Sequence, residues 1–132
     1  MTKLEKAREF FSNDRYATVQ TAIQILEVDD RYAKCALRIN DNHKNALGNV
    51  MGGVSFTLAD FVFAVATNFE APYPTVTASS HISYLGSPKG DTLIGESKLI
   101  KDGQRVCVYQ VSINDNLGNA VALVCINGVH LN

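Results

Sequence analysis

The chain has 132 residues, which suffices for one domain with a hydrophobic core and is too short for two ordinary domains. With 46% hydrophobic and 19% charged residues it is not a disordered segment, and a formal net charge of −1 excludes the basic surface of a nucleic-acid-binding protein. From the length we expect a single domain, residues 1–132. Three cysteines without a CxxC pair disfavour a disulfide framework and a zinc site, so we expect that the domain holds no metal.

The N-terminal segment is charged and amphipathic and has no apolar stretch of signal-peptide type. The one segment long enough to suggest a membrane span, Val50–Asn68, carries Asp60 near its centre, where an acid costs about 2.5–3.5 kcal/mol on insertion. We therefore predict a cytoplasmic protein without a membrane partner, in which this segment is a buried helix.

The first half of the chain predicts a helix, a hairpin and a second helix. Within Lys3–Ser12, apolar residues recur at helical spacing between charges, which predicts a short amphipathic N-terminal helix. Ile23–Glu27 and Tyr32–Ile39 flank a turn and predict a β-hairpin. After the polar loop Asn40–Asn49, the segment Gly53–Phe69 is too long and too rich in Ala and Phe for an ordinary strand. It predicts a helix of roughly 25 Å that is buried on most sides.

The second half predicts strands separated by turns rich in Gly, Asp and Asn. The strand-like segments are Thr75–Leu85, Thr92–Lys101, Arg105–Asn114 and Ala120–Leu131. Helix, hairpin, long helix and then four strands is the order of an α+β fold in which one antiparallel sheet packs on the central helix.

Asp60 is the only charged residue between Lys44 and Glu70. A carboxylate in apolar surroundings costs free energy unless it is paired or solvated. Burial would also raise its pKa, which suits proton transfer, so Asp60 is the first candidate for a catalytic residue. The alternative is a structural carboxylate that is hydrogen-bonded to nearby Ser or Thr side chains.

Gly52 and Gly53 lie where the polar loop becomes the long helix. The first turn of a helix has unpaired N–H groups and a partial positive charge, and glycine lets a ligand approach that backbone closely. A carbonyl oxygen could therefore bind there and be stabilised as negative charge develops on it. Tight packing of helix on sheet is the alternative reason for the glycine pair.

Asp60 follows Gly52 by eight positions, which is about 12 Å along a helix axis. One helix does not easily bring its own N-terminal N–H groups and its own Asp60 to the same carbonyl. If both act together, the acid comes from a second subunit, and a homodimer with antiparallel central helices would supply two equivalent sites.

Two further candidates lie on either side of the helix. The amide of Asn45 could hold a water or a substrate carbonyl, although an Asn in a loop more often forms a turn. Thr77 and Ser79 are predicted to share one face of their strand, with Ser80 on the other, and any of the three could meet Asp60.

The segment Asn45–Gly53 (NALGNVMGG), followed by Thr57–Asp60 (TLAD), resembles the signature of hotdog-fold acyl-CoA thioesterases of the PaaI-like, phenylacetate-pathway type. That pattern runs N-x-x-G-x-x-H-G-G and then L-x-D on a helix, and the resemblance covers roughly Asn45 to Gly128. It implies a hotdog fold, with a sheet wrapped around the long helix, in a dimer or a dimer of dimers. One departure is Met51, which replaces the family's His and can neither donate a hydrogen bond nor shuttle a proton.

The resemblance also implies hydrolysis of an acyl-CoA thioester, and we expect no cofactor. By this match the Gly52 N–H would polarise the carbonyl, and Asp60 of the partner subunit would be general base on water or nucleophile. Asn45 would position water or the thioester, and Thr77 falls where the family often has a hydroxyl near the attacking group.

Gly53 and Met51 would border the bound substrate. The phosphates of CoA would favour basic residues at the mouth of the site, and the candidates at strand ends or turns are Lys89, Lys101 and Arg105. Solvated surface charge is the alternative for each of them.

Two other functions compete with hydrolysis. A non-catalytic acyl-thioester-binding protein on the same fold is supported by Met51. A hydratase or dehydratase ranks lower because, by resemblance, its acid pairs with a catalytic His, and the long helix has none. Phe56, Phe61, Phe63 and Tyr84 would suit an aromatic or medium-chain acyl group but are equally candidates for the core.

Overall fold

A computed structural model describes all 132 residues of the chain. The predicted N-terminal helix is confirmed as α1, Lys3–Phe11. It begins with a capping box in which the Thr2 hydroxyl accepts from the Glu5 N–H at 3.1 Å and the Glu5 carboxylate accepts from the Thr2 N–H at 3.2 Å. A short π-helix, Tyr16–Gln20, follows, which no periodicity in the sequence predicts.

Six strands form one sheet in the order β1-β2-β4-β5-β6-β3, and every neighbouring pair is antiparallel. The predicted hairpin and the four later strands are confirmed, with ends shifted by at most two residues. The strands are β1 Gln24–Asp29, β2 Tyr32–Arg38, β3 Thr75–Tyr84, β4 Thr92–Asp102, β5 Val106–Asp115 and β6 Ala120–His130. The first and third strands of the chain, β1 and β3, are therefore the two edges of the sheet.

The long helix, α2, spans Gly52–Asn68 and packs across the sheet. Two glycines of the sheet, Gly95 and Gly128, allow the helix to approach the sheet closely. A Cβ at Gly95 would lie 3.0 Å from Val62 and 3.2 Å from Leu58, and a Cβ at Gly128 would lie 2.6 Å from the Phe63 ring. The side chains of Leu58, Val62 and Phe63 are buried there at the centre of a hydrophobic core that also receives Phe11 from α1. No helix in the structure is both long enough and apolar enough to cross a membrane.

One strip of α2 is not covered by its own sheet. We call this strip the open face of α2. It consists of Gly53, Thr57, Asp60 and Ala64, which recur at helical spacing and are partly or fully exposed. The expectation that the helix is buried on most sides is confirmed, but the expectation that Asp60 is buried is wrong for a single chain. A charged residue on the one strip that lacks a packing partner stays in contact with water and is only partly desolvated.

A bulge in β3 changes the direction of its side chains. The register passes from Thr77 opposite Gly128 to Ser79 opposite Asn127, which skips one residue of β3. Gly128 faces the core and Asn127 faces solvent, so Thr77 and Ser79 lie on opposite faces of the sheet. The predicted shared face is therefore wrong, because the simple alternation of a strand does not continue through a bulge.

Asp115 joins two loops at the same end of the sheet as the start of α2. Its buried carboxylate accepts from the N–H groups of Lys89, Gly90, Leu117 and Asn119 at 2.8 to 3.1 Å. Burial acts to raise the pKa of Asp115, but hydrogen bonds from the Asn119 side chain and from these N–H groups outweigh it and lower the pKa well below its usual range. The ionised carboxylate therefore holds the 86–91 loop in place.

We expect Asp115→Asn to lower Tm by several degrees at pH 7, because the carboxamide presents a donor group to N–H donors. A lowered folded-state pKa stabilises the fold above the carboxyl's ordinary pKa of about 3.9, and that contribution is lost as the pH falls below it. The Tm difference between wild type and Asp115→Asn should therefore shrink below pH ~4 in thermal unfolding monitored by circular dichroism. Asp41→Asn is the control, since the Asp41 side chain is 100% exposed. A constant difference from pH 7 to pH 3 would contradict this account.

Candidate functional site

The first turn of α2 offers two free backbone donors. Met51 is the N-cap residue, and its side chain makes no capping hydrogen bond. Its own N–H donates to the His43 carbonyl at 2.9 Å, whereas no acceptor in the protein pairs with the N–H groups of Gly52 and Gly53. A Ser, Thr or Asp at position 51 would cap this turn, so Met51 leaves the positive end of the helix open to a ligand.

Gly52 is also tightly packed, so both explanations given above for the glycine pair apply to it. The Tyr84 hydroxyl donates to the Gly52 carbonyl at 2.9 Å, and a Cβ at Gly52 would lie 2.7 Å from that hydroxyl oxygen. A Cβ at Gly53 would meet only the flexible end of Met51. The packing therefore fixes the Gly52 carbonyl while its N–H stays free.

Asp60 lies eight residues along α2 from Gly52, and Thr77 of β3 lies close to it. Partial desolvation raises the pKa of Asp60, the nearby Asp14 carboxylate raises it further, and the Thr77 hydroxyl acts in the opposite direction by stabilising the ionised form. This pKa shift occurs although the side chain is exposed in a single chain. A second subunit that covered the open face of α2 would desolvate Asp60 further.

A cleft of about 500 Å³ lies beside Gly52. Its walls come from the start of α2, the end of β3, the loop after it, and β6: Val50, Gly52, Ser55, Tyr84, Leu85, Gly86, Ser87, Pro88 and Val121. None of these residues is charged. The cleft and the free N–H groups of the first turn therefore adjoin each other within one chain.

Asn45 organises the loop before α2. Its side-chain oxygen accepts from the N–H groups of Leu47 at 3.0 Å and Asn49 at 3.1 Å. This is the turn-forming role given above as the alternative. The amide NH₂ group makes no hydrogen bond to the protein and is exposed, so it stays available as a donor.

The three basic candidates lie at two different ends of the sheet. Lys89 follows Pro88 at the mouth of the cleft. Lys101 and Arg105 lie where β4 ends and β5 begins, roughly 30 Å along β4 from that mouth at about 3.3 Å per residue. Within one chain only Lys89 is near Gly52, and the other two could serve only a site that a second subunit completes.

Two side chains near the start of α2 were not predicted to belong to the site. His43 is buried, its Nδ1 accepts from the Asn40 N–H at 3.1 Å, and its Nε2 lies 2.9 Å from the Thr21 carbonyl, so it anchors the loop that leads to Met51. Ser55 is buried and lines the cleft. The available signal for Ser55 was its spacing, since it follows Gly52 by three residues and so shares its face of the helix.

The aromatic candidates divide between core and cleft. Phe61 and Phe63 are buried in the core, whereas Tyr84 is exposed and lines the cleft. No group of three or more His, Cys, Asp or Glu side chains is placed to hold a metal ion.

Comparisons with known proteins assign the chain to a family. The model of the thioesterase superfamily matches residues 47–122, which is more than half of the chain. Acyl-coenzyme A thioesterase PaaI of Escherichia coli K12 is 28% identical over 120 residues, which cover 90% of this chain and 84% of that protein.

Solved structures agree in fold. The PaaI protein from the phenylacetic acid degradation operon of E. coli superposes with a TM-score of 0.88 at 21% identity, covering 98% of this chain and 94% of that one. A hypothetical thioesterase protein of Streptococcus pneumoniae, solved with coenzyme A, superposes with a TM-score of 0.83 at 23% identity, covering 94% of this chain and 96% of that one. The chain belongs to the thioesterase superfamily, and its fold is the hotdog fold of the PaaI-like members that its sequence resembles.

Proposed function

We propose that the protein hydrolyses an acyl-CoA thioester to a free acid and CoA at a site shared by two subunits of a homodimer. The observation that carries the proposal is the uncapped start of α2, where the N–H groups of Gly52 and Gly53 have no acceptor in the protein. The names of two similar proteins support the substrate: one is an acyl-coenzyme A thioesterase, and the other was solved with coenzyme A.

The edge strand β3 supports the dimer. One side of this strand of 10 residues pairs with β6, and its other side presents unpaired backbone groups. Val76 on the strand and Leu85 just after it are 45% and 58% exposed. Antiparallel pairing of β3 with its own copy about a two-fold axis would continue the sheet and cover the open face of α2. It would also bring the Thr77 end of one β3 towards the Tyr84 end of the other, and so the partner subunit's Asp60 towards Gly52.

The reaction follows from that arrangement. The thioester carbonyl oxygen accepts from the Gly52 N–H, where the helix dipole stabilises the negative charge that develops on it. Asp60 of the partner subunit takes a proton from water as the water oxygen attacks the carbonyl carbon, and the C–S bond then breaks as the protonated Asp60 returns that proton to the departing thiolate. In the nucleophilic alternative the Asp60 carboxylate attacks the carbonyl carbon and the C–S bond breaks, which releases the CoA thiolate and leaves an acyl-carboxylate anhydride. Water then hydrolyses the anhydride, and its two protons go to the thiolate and the free acid. Asn45 and Thr77 would position the attacking group in either case.

Asp60→Asn should lower kcat by about 10²–10⁴-fold on the acyl-CoA that the wild type hydrolyses best. The fold should not be weakened at pH 7, because a raised pKa means that folding disfavours the ionised carboxylate of Asp60 relative to the unfolded chain. Thiol release and Tm should be measured together. In the wild type kcat/KM should rise with pH through the Asp60 pKa, and the control Asp14→Asn should shift that limb to lower pH. Near-normal turnover by Asp60→Asn would refute the catalytic assignment.

Proline at position 52 would remove the Gly52 N–H at a place where the backbone accepts proline. Proline is tolerated at the first helical position, and Met51 already has the extended backbone, with φ −65° and ψ 138°, that a residue before proline adopts. Gly52→Ala is the matched control, because it adds a similar clash with Tyr84 and keeps the N–H. We expect Gly52→Pro to lose a further ~10²–10³-fold in kcat relative to Gly52→Ala. Equal rates for the two variants would show that this N–H does not bind the oxyanion.

The shared site can be tested by mixing inactive subunits. Asp60→Asn and Gly52→Pro homodimers should each be inactive, whereas a heterodimer has one site with both wild-type residues. Random exchange of equal amounts should restore about a quarter of wild-type activity, since half the dimers are mixed and each has one intact site. Differently tagged subunits, co-purified after exchange, allow the measurement. If heterodimers form and stay inactive, Asp60 and Gly52 belong to one subunit's site.

A further inference from the structure

The hydroxyl of Ser55 has no partner in the protein. Ser55 is only 2% exposed. The hydroxyls of Thr57 and Thr67 on the same helix donate to the carbonyls of Gly53 and Phe63, each at 2.8 Å, but the Ser55 hydroxyl makes no such bond. Every buried side-chain polar atom that is sealed from solvent has a hydrogen-bond partner, so the unpaired Ser55 hydroxyl is not sealed from solvent. It therefore faces the cleft that Ser55 lines.

The rest of the cleft suits the acyl part of the substrate. Its walls include Val50, Leu85, Pro88 and Val121 and the ring of Tyr84, and no lining residue carries a charge. The phosphates of CoA need cations and so would lie outside it. A volume of about 500 Å³ lies within the range of small-molecule pockets. Three side-chain hydroxyls line the cleft: that of Ser55, that of the exposed Ser87, and that of Tyr84, which donates to the Gly52 carbonyl. A pocket with apolar walls and a small number of polar groups is the usual design of a site that fixes the orientation of its ligand.

The helix places Ser55 at a defined distance from the proposed oxyanion donor. Side chains three residues apart share a face of a helix at about 5–6 Å, and each Cα–Cβ bond tilts towards the N-terminus. The Ser55 side chain therefore lies over the turn that contains Gly52. If the thioester carbonyl is held at the Gly52 N–H, the first carbons of the acyl chain pass beside the Ser55 hydroxyl.

We propose that Ser55 is a specificity-determining residue that selects acyl groups with a hydroxyl or keto oxygen at C2 or C3. The inference rests on the proposed function, since it assumes a thioester held at Gly52. A serine hydroxyl both donates and accepts, so either substituent can pair with it. An unsubstituted acyl chain leaves the buried hydroxyl without a partner, and that difference is the source of the selectivity.

The test compares butanoyl-CoA with the two enantiomers of 3-hydroxybutanoyl-CoA. In the wild type kcat/KM for one hydroxylated enantiomer should exceed that for butanoyl-CoA by about tenfold, the size of effect that one hydrogen bond produces. Ser55→Ala should lose this preference by slowing only the hydroxylated substrate, and Ser55→Thr, which restores a hydroxyl, should recover part of it. An equal change on both substrates, or none, would overturn the proposal.

Failure of this proposal is distinguishable from failure of the proposed function. Asp60-dependent hydrolysis that is indifferent to Ser55→Ala would leave the thioesterase standing and remove the role of Ser55. If the folded wild-type dimer hydrolyses neither substrate, the dissociation constants of the same CoA esters decide. Tighter binding of the hydroxylated ester that Ser55→Ala abolishes would support the selectivity without turnover, and equal binding by both proteins would overturn it.

Discussion

The close packing of α2 on the sheet is the constraint from which the proposed site follows. Leu58, Val62 and Phe63 are buried over Gly95 and Gly128, and any side chain at either glycine would push the helix away. The depth and rotation of α2 are therefore fixed along most of its length. As a consequence its N-terminus lies beside the end of β3, and one strip with Asp60 at its centre has no covering layer.

Hydrogen bonds hold the loops at the ends of the helix and the sheet. Asp115 gathers N–H groups from two loops at the cleft end, and His43 ties the loop before α2 to Thr21. At the far end, Asp102 lies 2.8 Å from His130 and 3.1 Å from Arg31; burial acts to raise its pKa, but hydrogen bonds from these two partners outweigh it and lower the pKa. Such satisfied networks rigidify loops that would otherwise move, and a proposed site at a loop-helix junction needs that rigidity.

At the start of α2 the protein leaves several polar groups without partners of its own. Met51 supplies no cap, Gly52 and Gly53 keep free N–H groups, and Ser55 keeps a free hydroxyl one turn further on. Each of these choices costs some helix stability relative to a capped start. Their concentration at one cleft is the pattern expected where a ligand supplies the missing partners.

The sequence by itself determined the elements and the chemical candidates. Strand alternation, turn residues and one long apolar run predicted nearly every helix and strand, because periodicity is a local property. The lone Asp60 and the Gly52-Gly53 pair stood out for the same reason, and helix geometry alone indicated that one helix does not easily bring both to the same carbonyl.

Only the tertiary structure decided which candidates meet. It placed Asp60 on an open face instead of in the core, brought Thr77 to it through a bulge that sequence alternation does not reveal, and separated Lys101 and Arg105 from the cleft. It also assigned Asn45 to its own loop and turned Ser55 towards the cleft. These outcomes depend on contacts between residues distant in sequence, and local patterns carry no information about which distant partner fills the space beside a side chain.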